Sequence, residues 1–436
     1  MKKNVIIIGA AGRDYFNFLI YFKDNPEFNV VCFTQAQIPG IEKRSFPKEL
    51  AGKLYRKNIL FYPEEKLPEL IKKYKVDYVY LSYSDLSAQE VLDKASIVLS
   101  SGANFALLGT NSTYLKSKKP VISVTAVRTG CGKSKISKRI AMYLKNNCYK
   151  VINLRHPMPY GNLLKEEVEK FYTEEDLNKY KATIEEREEY EQYINNKIPI
   201  FAGVDYEKIL NEAEKEADVI IWDGGNNDLS FIKPDINIVL VDPRRAGHEI
   251  SYYPGQVNLR MADIILIHKM SGTTQKNVEI VKDNIKLFNK KAKVIEITPV
   301  IVVENPEEIK GKTALLIGDG PTLTHGGMKY GVADYIAEKY KLKIIDAEKY
   351  AVGSIKQLYK KFAHLKKVLP AMGYSKKQIL ELQETINKAK CDIVIDGSPS
   401  NLKNFIKTNK PIYTADYDIL DKELKEVYNE VNKVLK

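Results

Sequence analysis

Cysteine is scarce in this chain of 436 residues: there are four, Cys32, Cys131, Cys148 and Cys391, and no two form a CxxC pair. That argues against a disulfide framework and against a zinc site. No run of about 18 apolar residues occurs, so no segment reads as a membrane-spanning helix. The apolar start, MKKNVIIIGAAGRDYF, is broken by Gly9 and reads as strand and turn rather than signal peptide. The expectation is a cytoplasmic protein with no membrane partner. There is no internal repeat and no low-complexity linker. No basic stretch is interleaved with aromatics, so nucleic acid is not an expected partner.

What is present begins with charge. Lys and Arg number 68 against 56 Asp and Glu, a net charge of +12. Because the lysines are dispersed, solvated helix faces account for much of the excess. An acidic ligand, phosphorylated or carboxylated, is the functional reading beside it.

Length and a hydrophobic content of 44% suit two to three domains with ordinary cores. Apolar runs of strand length recur at 5–8, 30–33, 78–81, 121–124, 151–154, 219–222, 238–241, 264–267, 294–297, 314–317, 342–345 and 393–395. Amphipathic helical stretches separate them. Continuous apolar strands alternating with helices predict parallel sheets covered on both faces, hence an α/β protein. Three modules are expected: a Rossmann-like one at 1–118, a parallel-sheet one at 119–308 that holds the phosphate loop described next, and a smaller α/β one at 309–436. The charged stretch 165–193, KEEVEKFYTEEDLNKYKATIEEREEYEQY, reads as one or two solvated helices or as a cap over a ligand.

Residues 121–136 read VISVTAVRTGCGKSKI. An apolar strand enters a turn with two glycines, and Lys133 and Ser134 start a helix whose Ile136, Ile140 and Leu144 recur at helical spacing. Gly130 and Gly132 let backbone N–H groups of Thr129, Cys131 and their neighbours curl around an anion. The helix N-terminus adds unpaired N–H groups. Lys133 reaches toward the β- and γ-phosphates, Lys135 adds charge, and the Ser134 hydroxyl suits magnesium. Val127 stands where the usual G-x-x-x-x-G-K-[ST] has its first glycine. In that variation the loop resembles the P-loop class that includes dethiobiotin synthetase, nitrogenase iron-protein relatives and metallochaperone GTPases. The resemblance implies a parallel sheet with the nucleotide at its strand ends.

Three further strand ends carry polar groups. ADVIIWDGGNND at 217–228 ends in Asp223, a candidate magnesium ligand, with Gly224 and Gly225 permitting close backbone approach to a γ-phosphate. VINLRHPMPYG at 151–161 ends in Arg155, suited to a carboxylate or phosphate, and His156, suited to moving a proton. IVLVDPRRAGH at 238–248 offers Asp242 and Arg244 to the same crevice. In IILIHKM at 264–270, Lys269 fits a guanine-reading N-K-x-D, but His268 and Ser271 replace the Asn and the Asp. The base therefore stays open between ATP and GTP, with a lean to ATP.

In the third module, ALLIGDGPTLTHGGMKYG at 314–331 combines Gly318, Gly320, Gly326 and Gly327 with Asp319, Thr322, Thr324 and His325. Such a loop could hold an acidic substrate or a phosphate, with His325 acting in catalysis. In the first module Gly9 and Gly12 do not make a G-x-G-x-x-G. Gly12 and Arg13 touch an anion or substrate, or the module binds nothing.

The order T-G-C-G-K-S, RHPMPYG, a strand ending in Asp, GDGPTLTHGGM and LPAMGY, with GAAGRDYFNF at the start, resembles a GTPase family named for cyclic 2,3-diphosphoglycerate synthetase over nearly the whole chain. The resemblance implies a ligase that closes a phosphoanhydride with ATP and magnesium. The expectation is an NTP-dependent, magnesium-using synthetase acting on a small anionic metabolite, with a switch or chaperone GTPase as the alternative. The acceptor and the oligomeric state are not fixed by the sequence, and a homo-oligomer is compatible with it.

Overall fold

The structure is a computed structural model, and it describes all residues except 1, 10–11, 36–43, 157–160, 271, 325–327, 330, 366, 372–375, 399–401, 405 and 436. Three sheets follow one another along the chain. The first contains β1 (Lys3–Ile8), β2 (Phe28–Gln35), β3 (Ser45–Phe46), β4 (Ile59–Pro63), β5 (Tyr78–Leu81) and β7 (Asn104–Leu107), in the order β3-β4-β2-β1-β5-β7. All its pairs are parallel except β3 with β4.

The second sheet contains β8 (Val121–Ala126), β9 (Val151–Arg155), β10 (Glu169–Phe171), β11 (Ile200–Ala202), β12 (Val219–Asp223), β13 (Ile236–Val241), β15 (Ile264–His268) and β16 (Lys293–Ile297). Their order is β10-β11-β9-β12-β8-β13-β15-β16. Only β10 runs antiparallel to its neighbour. Strand β8 sits near the centre, and all six of its residues are buried, as a strand covered on both faces requires. Its carboxyl end delivers the phosphate loop, and those of β12, β9, β13 and β15 deliver the residues around it.

The third sheet contains β17 (Val300–Val303), β18 (Thr313–Asp319), β19 (Lys343–Ile344), β20 (Val368–Ala371), β21 (Ile393–Gly397) and β22 (Ile412–Asp418). It begins before residue 308, because Val300–Val303 pairs antiparallel with β22 rather than continuing the second sheet. The last helix, Asp421–Val434, crosses back the other way. Its Leu424, Val427, Tyr428 and Val431 join the core of the second module. Tyr428 stacks on Tyr143 with ring centroids 3.9 Å apart. A linear three-way division of the chain misses both exchanges, since pairing and burial, not sequence order, decide where an element packs.

The first module is fastened to the second in the same manner. Phe16 sits in the core formed around Trp222, Phe201 and Phe231, stacked on Phe231 at 3.8 Å. The short strands β6 (Leu86–Ser87) and β14 (Tyr252–Tyr253) form an antiparallel ladder between the two modules. No helix among the described residues is long and apolar enough to cross a membrane.

Candidate active site

Residues 127–132 turn from β8 into the helix Lys133–Asn146. Gly130 and Gly132 have φ of 77° and 93°, the left-handed region that glycine enters at little cost. Alternate carbonyls of this turn point outward, each taken by a side chain from a different strand end. Asn227 Nδ2 donates to Val127 O at 2.9 Å, and Arg245 Nη1 to Thr129 O at 2.8 Å. His268 Nδ1 lies 2.8 Å from Cys131 O. A carbonyl only accepts, so Nδ1 of His268 carries the proton. Burial lowers the His268 pKa to about 4, which keeps the ring neutral. With those carbonyls fixed outward, the intervening N–H groups are left for the concave side, the arrangement that binds anions.

Lys133 is 9% exposed, and its Nζ donates to Asn226 O at 2.6 Å. Thr129 Oγ1 bonds the side chain of the same Asn226 at 3.2 Å. The turn after β12 therefore lies over the phosphate loop. Burial lowers the Lys133 pKa and Arg155 adds to this, while Asp223 opposes it. An ammonium so placed gains from a nearby polyanion.

Asp223 is fully buried at the end of β12. Its Oδ2 takes two donors, Arg155 Nη1 at 2.7 Å and Tyr193 OH at 2.7 Å. Its Oδ1 is buried and has no hydrogen-bond partner. The same Arg155 nitrogen is 3.4 Å from Ser134 Oγ, so hydroxyl and carboxylate share one neighbour. A buried carboxylate oxygen left open beside a serine hydroxyl is a hard-oxygen pair that fits magnesium completed by phosphates and water. Among the described residues no group of three or more His, Cys, Asp or Glu is placed to hold a metal, so an all-protein cage is not the alternative.

Arg155 is held on its other side by Glu189, whose Oε2 accepts from Nε at 2.7 Å and whose Oε1 pairs with Nη2. Burial opposes the Arg155 charge, but Asp223 and Glu189 together raise its pKa well above the ordinary value. Glu189 and Tyr193 both come from the helix Ile184–Ile194, within the charged stretch. Neither stood out in the sequence. The signal that could have found them is the capping box Thr183/Glu186, which sets the helix start and puts Glu189 and Tyr193, four apart, on one face.

The remaining expected residues divide. Thr129, Gly130, Cys131, Gly132, Lys133, Ser134, Arg155 and Asp223 come together at the loop, while a Cβ on Gly224 would lie 2.8 Å from Trp222 Nε1, so packing accounts for that glycine. His156 stands beside it, with Nδ1 2.9 Å from Asp228 Oδ2. Lys135 turns away to pair with Asp416 of β22, and Lys269 pairs with Glu296 at 3.0 Å. Both lysines have carboxylate partners; at the end of β15 the neutral His268 touches the loop. Arg244 is engaged by its own Asp242 through bonds of 2.9 and 2.8 Å, and the neighbouring Arg245 braces the loop.

In the third module, Thr324 Oγ1 donates to Gly320 O at 2.8 Å within the short helix Gly320–Thr324. A Cβ on Gly318 would lie 2.8 Å from Leu323 Cδ1, so close packing accounts for that glycine. Asp319 ends β18, and its charge contributes to raising the Tyr417 pKa, behind burial and Asp416. The Tyr417 ring of β22 lies 5.6 Å from His268, so β22 of this sheet approaches the loop. His325 and the Thr322 side chain fall outside the described residues.

No family model matches the chain. A curated relative from Thermococcus kodakarensis, named arginine synthetase ArcE, is 53% identical over 433 residues, covering 98% of this chain and 97% of its own. Its name carries arginine where the sequence resemblance carries cyclic 2,3-diphosphoglycerate. Among solved structures, LpxK of Aquifex aeolicus in complex with ATP matches 85% of this chain and 100% of its own, with a TM-score of 0.44 at 14% identity. The hydrogenase maturation factor HypB of Archaeoglobus fulgidus matches 41% of this chain and 81% of its own, with a TM-score of 0.28 at 18% identity. At 53% identity over almost the full length of both proteins, the chain belongs to the family of the Thermococcus protein named arginine synthetase ArcE.

Proposed function

We propose that the chain is an ATP-dependent synthetase that builds the guanidinium group of arginine. The observation that carries the reading is the convergence of Lys133, Ser134 and the open Oδ1 of Asp223 at one glycine turn. The name of the 53%-identical relative supplies the acceptor class.

Making a guanidinium from a ureido group replaces a carbonyl oxygen by nitrogen. The oxygen must first become a leaving group. In the proposed sequence the ureido oxygen of citrulline attacks the γ-phosphorus, the bond to the β-phosphate oxygen breaks, and ADP departs. Ammonia or another nitrogen nucleophile then adds to the ureido carbon, loses its proton, and expels phosphate. Positioning and charge neutralisation dominate both steps. The loop N–H groups and Lys133 hold the β- and γ-phosphates. Arg155, kept cationic by Glu189 and Asp223, neutralises the oxygens of the group in flight. Magnesium held by Ser134 and Asp223 would supply further neutralisation of phosphate charge. In this reading His156 takes the proton from the attacking nitrogen. The reading places the reaction among free cytoplasmic metabolites, with no nucleic acid or membrane involved.

The test is product analysis with the purified protein, ATP, magnesium, citrulline and ammonium. Arginine and ADP should form together, and Lys133→Ala should lower the rate by about 100- to 1,000-fold, as removal of a transition-state donor does. Unchanged turnover in that variant would move the active site elsewhere. Turnover stimulated by 2,3-diphosphoglycerate and not by citrulline would restore the phosphoanhydride reading. Steady GTP hydrolysis with no small acceptor would favour a switch.

A further inference from the structure

Two buried charges of opposite sign meet at the seam between the first and second modules, and neither is fully used. Arg13, at the start of the helix Arg13–Asn17, is 6% exposed. Its Nη1 donates to Leu229 O at 2.9 Å, and its guanidinium lies 5.4 Å from the Phe231 ring. Its Nη2 is buried without a partner. Asp228, the residue before Leu229, is 3% exposed. Its Oδ2 faces His156 at 2.9 Å, while its Oδ1 is buried without a hydrogen bond. Folds rarely leave such atoms open, and each calls for an explanation.

We propose that this seam holds the charged head of an α-amino-acid substrate, with Arg13 taking the α-carboxylate and Asp228 the α-ammonium. The assignment rests on the arginine-forming reading above for its substrate class. A guanidinium edge suits a carboxylate, and a carboxylate oxygen suits an ammonium. An α-amino acid carries both groups on one carbon and so fits a donor and an acceptor at one seam, where Arg13 bonds the carbonyl of Leu229, the residue after Asp228.

The seam also adjoins the phosphate-transfer residues along two strands. His156 directly follows Arg155, and Asp228 lies in the turn that begins after Asp223. The substrate's far end would thereby be directed toward Lys133 and the γ-phosphate. Burial works against the Asp228 charge, but His156, Arg13 and the Ser84 hydroxyl hold its pKa below the ordinary aspartate value.

The experiment is calorimetric binding of L-citrulline and L-arginine to the full-length protein and to Arg13→Lys and Asp228→Asn. Melting temperature and ATP affinity are measured on the same samples. The wild type should bind at least one of the two amino acids. Both variants should weaken that binding about 30-fold while ATP affinity and melting temperature stay unchanged. The decarboxylated analogue of the ligand should bind wild type as weakly as it binds Arg13→Lys. Amino-acid binding that is absent from the wild type, or equal in all three proteins, overturns the proposal. So does a fall in melting temperature or ATP affinity that accounts for the loss, since Arg13 and Asp228 would then only latch the modules together. Binding is read without turnover: if citrulline binds in the way described and no arginine forms, the head-group site stands and the proposed reaction falls.

Discussion

Two strand ends in this molecule are rich in glycine, and they use it differently. At the end of β8, Gly130 and Gly132 adopt φ of 77° and 93°, and their turn is held by Asn227, Arg245 and His268 from three other strand ends. Near the end of β18, Gly318 has no left-handed φ; its missing side chain makes way for Leu323 and Val368, at 2.8 and 3.2 Å from where a Cβ would stand. The first loop uses its two glycines for backbone conformation, whereas Gly318 serves close packing. Glycine density at a strand's carboxyl end therefore does not by itself identify a ligand loop. What separates the two is where the surrounding polar side chains go: onto the outward carbonyls of the first, and, for Thr324, back onto the helix's own backbone in the second.

The sharpest way to break the comparison is Gly132→Ala. A Cβ there would lie 2.7 Å from the His268 ring and 2.9 Å from the Tyr417 hydroxyl, both buried or half-buried and tightly placed. The positive φ adds strain of about 1–3 kcal/mol. Nucleotide binding should be lost in calorimetry, and the melting temperature should fall. Retained nucleotide affinity would show that the loop's N–H groups do not carry the phosphates.

A second, smaller effect separates the metal pair from the loop. Tyr193→Phe removes the donor that fixes Asp223 Oδ2 at 2.7 Å while leaving the phenyl ring in place. Arg155 remains as the second donor. Apparent magnesium affinity in the ATP reaction should drop about 10- to 100-fold, the usual range for a residue that orients a metal ligand. Metal-free nucleotide binding should be unchanged. If metal-free binding falls equally, Tyr193 supports the loop, whose Ser134 O it also reaches at 3.3 Å, and not the carboxylate.

The loop, its lysine and serine, and Asp223 were legible in the sequence because each is local: a buried strand, a turn and a helix start within a few residues. Arg155 was legible as a charge at a buried strand end. Glu189 and Tyr193 were not, because they arrive on a helix whose charged sequence looks like an ordinary solvated face. Only the sheet order β11-β9-β12 brings that helix's neighbourhood against β9 and β12. Lys135, next to the motif in sequence, and Lys269, at the end of β15, have partners that the sequence does not announce, Asp416 and Glu296. The α/β class followed from apolar runs of strand length. The crossing of Val300–Val303 into the third sheet and of Asp421–Val434 into the second core did not, because both are settled by edge pairing and burial at long range.

Gly318→Ala tests the other half of the comparison and should have the smallest effect on ligands. Strand β18 is paired on both sides, with β20 and β21, so the backbone at residue 318 has little room to shift. The added methyl must push Leu323 out of a fully packed position, a cost of about 1–3 kcal/mol for overpacking a core. Denaturant unfolding should show that loss while the KM for ATP stays where it was. A variant with normal stability and a raised KM would reverse the assignment. The glycines at 318 and 320 would then belong with those at 130 and 132 as main-chain contacts to a phosphate, and the third sheet would contribute to the nucleotide site across Tyr417.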